Sequence, residues 1–283
     1  MLGKLIRYEL KSTSRVMWFI YAAVVASGAL LGFVVPFGSR INTSTEIVNG
    51  EEVFNFGLGS GGTLVMILMI ALFLIYILLI NAMAIMTTIM IIMRFYNNML
   101  QGEGYLMHTL PVPAWQHVLC KLITAVLWQL IALVVAVLSG LLLSLTSGIL
   151  PTVLRQKEFG MLLEMAGEFL RENGVEFTSL AVLGAVSVVS GILLYYFCMA
   201  IGNLANKNKL LLAVASYIGI QTLLTVILTA AGVLSGVMQG SGPNAAEPSA
   251  SGIMLTVAAI LAVLGVIYFF GTTRILKKRL NLA

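Results

Sequence analysis

The stretch TLVMILMIALFLIYILLINAMAIMTTIMIIM, residues 63–93, is 31 residues long and holds no charged side chain. An α-helix rises about 1.5 Å per residue, so this one would reach about 46 Å. The hydrocarbon core of a bilayer is about 30 Å thick, and roughly 20 apolar residues cross it. Such a run is a transmembrane span with length to spare, and it must tilt, break or project into water. The continuation Arg94-Phe95-Tyr96-Asn97-Asn98 has no breaker before Gly102, which favours projection.

Outward from this run, five more uncharged segments follow the same pattern: 16–37, 122–150, 180–201, 210–238 and 253–270. Hydrophobic residues make up 60% of the 283-residue chain and charged residues 10%, and the mean hydropathy is +1.03. A water-soluble surface is excluded by that balance. The first run is longer than the ~7 to 15 apolar residues of a cleavable signal peptide, so it is expected to remain as a span. The expected fold class is an all-α integral membrane protein, one six-span domain over residues 1–283.

The charges lie between the runs and orient them. With both termini in the cytoplasm, the inner segments hold Lys4, Arg7, Lys11, Arg15, Arg94, Lys121, Lys207, Lys209, Arg274, Lys277, Lys278 and Arg279, which is 12 of the 16 basic residues. The outer segments hold 9 of the 11 acids, all but Glu9 and Glu103. The positive-inside rule therefore predicts N-in, C-in. The formal charge of +5 is then a signal of membrane orientation, and its dispersal over four inner segments argues against nucleic acid as a partner. Cys120 and Cys198 fall at cytoplasmic ends of spans, where a structural disulfide is disfavoured.

Residues 1–15 place Lys4, Arg7, Lys11 and Arg15 at helical spacing opposite Leu2, Leu5, Ile6 and Leu10. This pattern predicts an amphipathic helix on the inner leaflet ahead of the first span, against the blander reading of a charged flank. In the outer loop 151–178, Phe159, Leu162, Leu163, Ala166, Phe169 and Leu170 alternate with Glu158, Glu164, Glu168 and Arg171 at helical period, and Asn173-Gly174 offers a stop. A second surface helix is expected there. The fifth run is expected to break near Ala231-Gly232, with 233–238 dipping back at the outer surface, and 239–252 forms a flexible outer turn.

Much chemistry is absent. The chain has no aspartate, and Gly57-Leu58-Gly59-Ser60-Gly61-Gly62 lacks the Lys-Ser/Thr of a phosphate-binding loop, so it reads as an outer loop. The chain is not expected to be an enzyme. Its two histidines, His108 and His117, share one cytoplasmic segment, which gives a membrane-embedded protease or metal site nothing to use. None of the six runs carries an ionisable residue, which disfavours an ion-coupled carrier. Met83, Met86 and Met90, with Asn81 and Thr87, form a candidate wall of a substrate path. Ordinary packing of methionine is the stronger reading of that face, and a copper site is weaker still. Gln129, Gln221 and Asn203 are expected as interhelical hydrogen-bond partners.

The longest cytoplasmic connection, 94–121, contains QGEGYLMHTLPVP, residues 101–113. Gly102 and Gly104 free the backbone to turn, 105–110 can make one or two helical turns, and Pro111 with Pro113 ends them. Residues 114–121 then restart toward the membrane with Trp115 as interface anchor. A short helix held below the bilayer by two arms is a docking device: Tyr105, Leu106 and Leu110 suit an apolar groove on a soluble partner, while Glu103 and His108 set register. An ordinary solvated loop is the alternative.

This arrangement, above all EGYLMHTLPVP (103–113) followed by Lys121, together with the opening LGKLIRYELK (2–11) and six spans, resembles the membrane subunits of bacterial ABC exporters of the second type, in the branch of peptide-antibiotic efflux and immunity permeases. The resemblance implies a coupling helix that includes Glu103, Gly104, Tyr105, Leu106, His108, Leu110 and Pro111, seated in a separately encoded cytoplasmic ATPase. It implies a second permease copy or paralogue, with ATP and Mg bound by the ATPase and no cofactor in this chain. It also implies a multi-pass protein of the bacterial plasma membrane, in contact with lipid. One departure stands out: such permeases concentrate outer structure between spans five and six, whereas here the outer helix falls between spans three and four. The alternatives are a non-transporting membrane scaffold or immunity protein, and an ion-coupled carrier.

Overall fold

The computed structural model describes residues 2–39, 44–48, 51–55, 60–100, 113–148, 150–152, 158–205, 208–239 and 250–278. In chain order these include α1 (Leu2–Ser39), β1 (Ser44–Val48), β2 (Glu51–Asn55), α2 (Ser60–Leu100), α3 (Ala114–Thr146), α4 (Glu158–Glu172), α5 (Gly174–Gly202), α6 (Lys209–Gln239) and α7 (Ala250–Lys278). Six of these helices, α1, α2, α3, α5, α6 and α7, are long and apolar enough to cross a membrane.

The surface carries large apolar side chains that a soluble domain would bury. Phe19, Leu78 and Leu133 are 78%, 65% and 62% exposed, while Thr87, Ser139 and Thr272 are fully buried. Water would penalise that outward apolar face, and hydrocarbon does not. In hydrocarbon the penalty falls on unmet polar groups instead. The hydroxyls meet it within their own helices: Thr87 donates to the Met83 carbonyl at 2.8 Å, Ser139 to Ala136 at 2.9 Å and Thr272 to Tyr268 at 2.7 Å.

Helix boundaries depart from the expected ones in ways that local chemistry explains. The amphipathic segment 1–15 is not a separate element, because α1 runs unbroken from Leu2 to Ser39. Lys11-Ser12-Thr13-Ser14-Arg15 offers no glycine or proline to end it, and Thr13 and Ser14 bond back to the Glu9 and Lys11 carbonyls at 2.9 and 3.0 Å. Helix α2 does continue through Asn98 to Leu100, as its sequence favours, and it starts at Ser60, so the end of the glycine cluster is helical. Helix α3 stops at Thr146, short of the expected residue 150. Gly148 takes φ +77°, which closes the helix in the left-handed conformation that glycine adopts at little cost.

Helix α4 forms where the outer amphipathic pattern lies and ends at Glu172, at the expected Asn173-Gly174 stop, which is a bend that leads straight into α5. Asn173 N–H donates to the Phe169 carbonyl and Phe177 N–H to the Asn173 carbonyl, at 2.9 and 3.0 Å. Phe169 meets Phe177 edge-on across the bend, with ring centroids 5.8 Å apart. Helix α5 therefore begins at Gly174, six residues before the expected 180. Helix α6 continues through Ala231-Gly232 to Gln239, so the expected break and re-entrant dip are not formed. A lone glycine costs a helix only about 1 kcal/mol.

The architecture is all-helical as expected, with one short hairpin beside the helices. Strands β1 and β2 pair antiparallel, with Ser44 opposite Asn55 and Val48 opposite Glu51, inside what reads as an outer loop.

The chain divides into two compact units. One comprises residues 1–8, 90–126 and 165–283, and the other residues 9–89 and 127–164. The second is sewn by small residues: a Cβ on Gly28 would sit 2.9 Å from the Ser139 carbonyl, and one on Gly32 2.9 Å from the Leu143 carbonyl and against the Thr146 hydroxyl. Gly28 and Gly32 are one turn apart, the small-xxx-small spacing that brings helices close. Tyr76 and Ser139 hydroxyls pair at 3.0 Å, and Tyr21 donates to the Trp128 carbonyl at 3.3 Å.

The first unit is built on α5, which packs most extensively on α7 and less on α6. Its core includes Ile91, Phe95, Met99, Val118, Leu193, Tyr196, Cys198, Tyr268 and Leu276. Rings do much of the joining. Tyr195 stacks on Tyr217 of α6 at 5.4 Å and Phe197 on Tyr268 of α7 at 5.5 Å.

Candidate functional site

The residues expected to dock an ATPase, Glu103, Gly104, Tyr105, Leu106, His108, Leu110 and Pro111, lie outside the described residues. The two helices that flank them are described. The end of α2 buries Ile91, Phe95, Met99 and Leu100, and the start of α3 buries His117, Val118, Cys120 and Lys121. The sequence pattern dictates this: Ile91, Phe95 and Met99 recur at every fourth residue, which puts one apolar stripe on the last turns of α2.

Both flanks meet one side chain of α5. Tyr196, only 1% exposed, stacks its ring on Phe95 of α2 with centroids 4.1 Å apart and planes 12° from parallel. Its hydroxyl donates to the Lys121 carbonyl of α3 at 3.1 Å. An offset aromatic pair contributes about 0.5–1.5 kcal/mol beyond its area, and an interhelical hydrogen bond in a membrane protein averages about 0.6 kcal/mol. Tyr196 thus ties the exit from α2 and the entry to α3 to a single point on α5.

Helix α3 begins at Ala114, where residues 114–121 were expected to restart toward the membrane. Lys121 and His117 stand one turn apart inside it, 4% and 2% exposed.

Along the candidate substrate wall, Met83 and Thr87 are buried, Met86 is 46% exposed, Asn81 is exposed and Met90 half-buried. The Asn81 amide donates to the Ile77 carbonyl of its own helix at 2.8 Å. Of the expected interhelical amides, Asn203 is buried and its carbonyl oxygen has no hydrogen-bond partner among the described residues, while Gln221 is exposed and Gln129 half-buried. No group of three or more metal-ligating side chains occurs among the described residues.

What the first unit does contain is a groove of about 510 Å³, open along one side. Its walls include Leu122 of α3, Val186 and Ser190 of α5, and Ala262, Val266 and Phe270 of α7. Ser190 is the sole polar side chain among the lining residues, and Gly265 passes it closely enough that a Cβ there would lie 3.6 Å from the serine Cβ. No catalytic chemistry can be built from such walls. An apolar chain is what they can accept.

Comparison with protein-family models, with curated proteins and with solved structures finds no match to this chain.

Proposed function

We propose that this chain is the membrane-spanning permease subunit of an ATP-driven ABC exporter, coupled to a separate cytoplasmic ATPase and paired with a second permease copy or paralogue. Orientation N-in, C-in in a bacterial plasma membrane belongs to the same reading and rests on the distribution of basic and acidic residues. ATP and Mg would be bound by the ATPase. This chain's share is mechanical: segment 101–112 receives a push, and α2 and α3 carry it into the membrane.

The single observation that supports this reading is the Tyr196 junction. A docking segment can transmit force only if its two flanking helices are held to something that moves with them. Phe95 and Lys121, at the two ends of 94–121, are held to the same residue of α5 by a ring stack and a hydrogen bond. A solvated loop on a passive scaffold needs no such junction.

The reading is tested by affinity purification of the full chain from its native membranes, followed by Mg-dependent ATP hydrolysis of the preparation. The expected result is a nucleotide-binding subunit at fixed stoichiometry with measurable turnover. Leu106→Asp would bury an unpaired carboxylate at the docking surface, which costs a few kcal/mol and roughly a hundredfold in affinity. That variant should insert and purify normally yet lose the subunit and the turnover. Retention of both at the level of the unmodified chain would overturn the proposal.

A further inference from the structure

Along α7 the groove is lined from Leu261 to Phe270, and along α5 from Ala185 to Leu193, which correspond to rises of about 13 and 12 Å. That is close to the ~15 Å depth of one leaflet's hydrocarbon, half of the bilayer's ~30 Å core. A groove of that length fits within a single leaflet, and the chemistry changes at one of its ends. Phe270, Arg274 and Lys277 stand at i, i+4 and i+7 on α7, one face of the helix. Arg274 and Lys277 are exposed and lie about 6 and 10 Å beyond the last lining residue. On α3, Trp115 stands one turn before the lining residue Leu119 and is 48% exposed, the position of an aromatic at headgroup depth. An open apolar slot of one-leaflet depth, with two cations and an indole at its polar end, matches a single amphiphile of opposite charge.

We infer that this groove is a binding site for one anionic phospholipid, with an acyl chain along Val186, Ser190, Ala262 and Val266 and its headgroup phosphate against Arg274 and Lys277. The lipid belongs to the inner leaflet, an assignment that rests on the orientation proposed above. Juxtamembrane basic residues contribute about fivefold each to anionic-lipid binding, and the groove adds the positional selectivity that a flat surface lacks. Gly265 and Ala262 line the slot with small residues, so a large side chain at either position would intrude on it.

The test uses the full chain, delipidated in neutral detergent and examined by native mass spectrometry with phosphatidylglycerol or phosphatidylcholine of identical acyl chains. Phosphatidylglycerol should bind at least tenfold more tightly than phosphatidylcholine, with one tightly retained molecule per chain. Arg274→Gln with Lys277→Gln should abolish that preference and leave phosphatidylcholine binding unchanged. Ala262→Phe, whose side chain fills the slot, should weaken both lipids together, while circular dichroism shows unchanged helix content. No headgroup preference in the unmodified chain, a preference that survives the double substitution, or lipid binding indifferent to Ala262→Phe would each overturn the inference. So would an Ala262→Phe variant that turns dimers into monomers with lipid binding intact, because the groove would then be a subunit interface. Failure of the permease proposal reads differently: the ATPase would be missing while phosphatidylglycerol preference persists. Failure of the orientation would appear as labelling of Lys278→Cys by an impermeant thiol reagent in intact cells, with the same lipid preference.

Discussion

The two compact units solve one problem with two devices used in different proportion. Between helices in lipid there is little hydrophobic drive, because hydrocarbon tails are as apolar as leucine, so association rests on close packing and on hydrogen bonds. The unit of residues 9–89 and 127–164 removes side chains: Gly28 and Gly32 let backbone approach backbone at Ser139, Leu143 and Thr146. The unit of residues 1–8, 90–126 and 165–283 adds large ones, with Phe95 on Tyr196, Tyr195 on Tyr217 and Phe197 on Tyr268. A glycine seam fails when anything is inserted, whereas a ring stack fails when anything is taken away. The two devices should therefore respond in opposite senses to the same change of side-chain volume, and the aromatic unit also holds close glycines, since a Cβ on Gly202 would sit 2.5 Å from the Lys209 carbonyl and one on Gly271 2.5 Å from the Phe197 ring.

The largest effect is expected at the ring stack. Phe95→Ala deletes a fully buried ring and should destabilise by about 3–5 kcal/mol, measured by unfolding in mixed micelles of mild and denaturing detergent. A loss below about 1 kcal/mol would show that the stack on Tyr196 contributes little. Next comes the seam. Gly32→Val places a branched side chain on the Thr146 hydroxyl and should cost about 1–3 kcal/mol or more, while enlarging the buried face of the aromatic unit at Ala200→Ser should cost less. A Gly32→Val chain as stable as the original would disprove close approach there.

A sharper contrast uses one substitution in both units. Gly28→Ala meets the Ser139 carbonyl at 2.9 Å and the Tyr76 ring at 3.3 Å, whereas Gly265→Ala meets only Ser190, at ordinary van der Waals distance. The first should destabilise by about 1 kcal/mol or more, and the second should be neutral or stabilising by up to about 1 kcal/mol through helix propensity. Equal shifts would erase the distinction between the units. The smallest effect is expected at the hydroxyls: Tyr196→Phe and Tyr76→Phe each remove one interhelical hydrogen bond, worth about 0.6 kcal/mol. If coupling runs through Tyr196, its Phe variant should lower ATP turnover of the purified complex by more than so small a stability change explains.

The six spans were legible because charge is a one-dimensional signal in a membrane protein: no run of about 20 uncharged apolar residues can hide. Their ends were not, since a helix stops where the backbone finds a partner rather than where hydropathy changes. Nothing in Ser12-Thr13-Ser14 announces that α1 runs on through it, with Thr13 and Ser14 bonding back to carbonyls of their own helix. The hairpin had a readable sign in the sequence, Asn49-Gly50 after Ile47-Val48, the pair that two-residue turns favour. The Gly28-xxx-Gly32 spacing was also readable. The Tyr196 junction was not, because its partners Phe95 and Lys121 lie 101 and 75 residues away, and periodicity carries no information about which helix faces which.

The exposed apolar faces of Phe19, Leu78 and Leu133 have a thermodynamic consequence for anyone handling the protein. Whatever amphiphile covers them binds the folded chain and differs in how it solvates the unfolded one, so it enters the folding equilibrium as a ligand does. A melting temperature measured for this chain is thus a property of a pair, protein and surrounding amphiphile. Two values compared across different detergents compare two different equilibria.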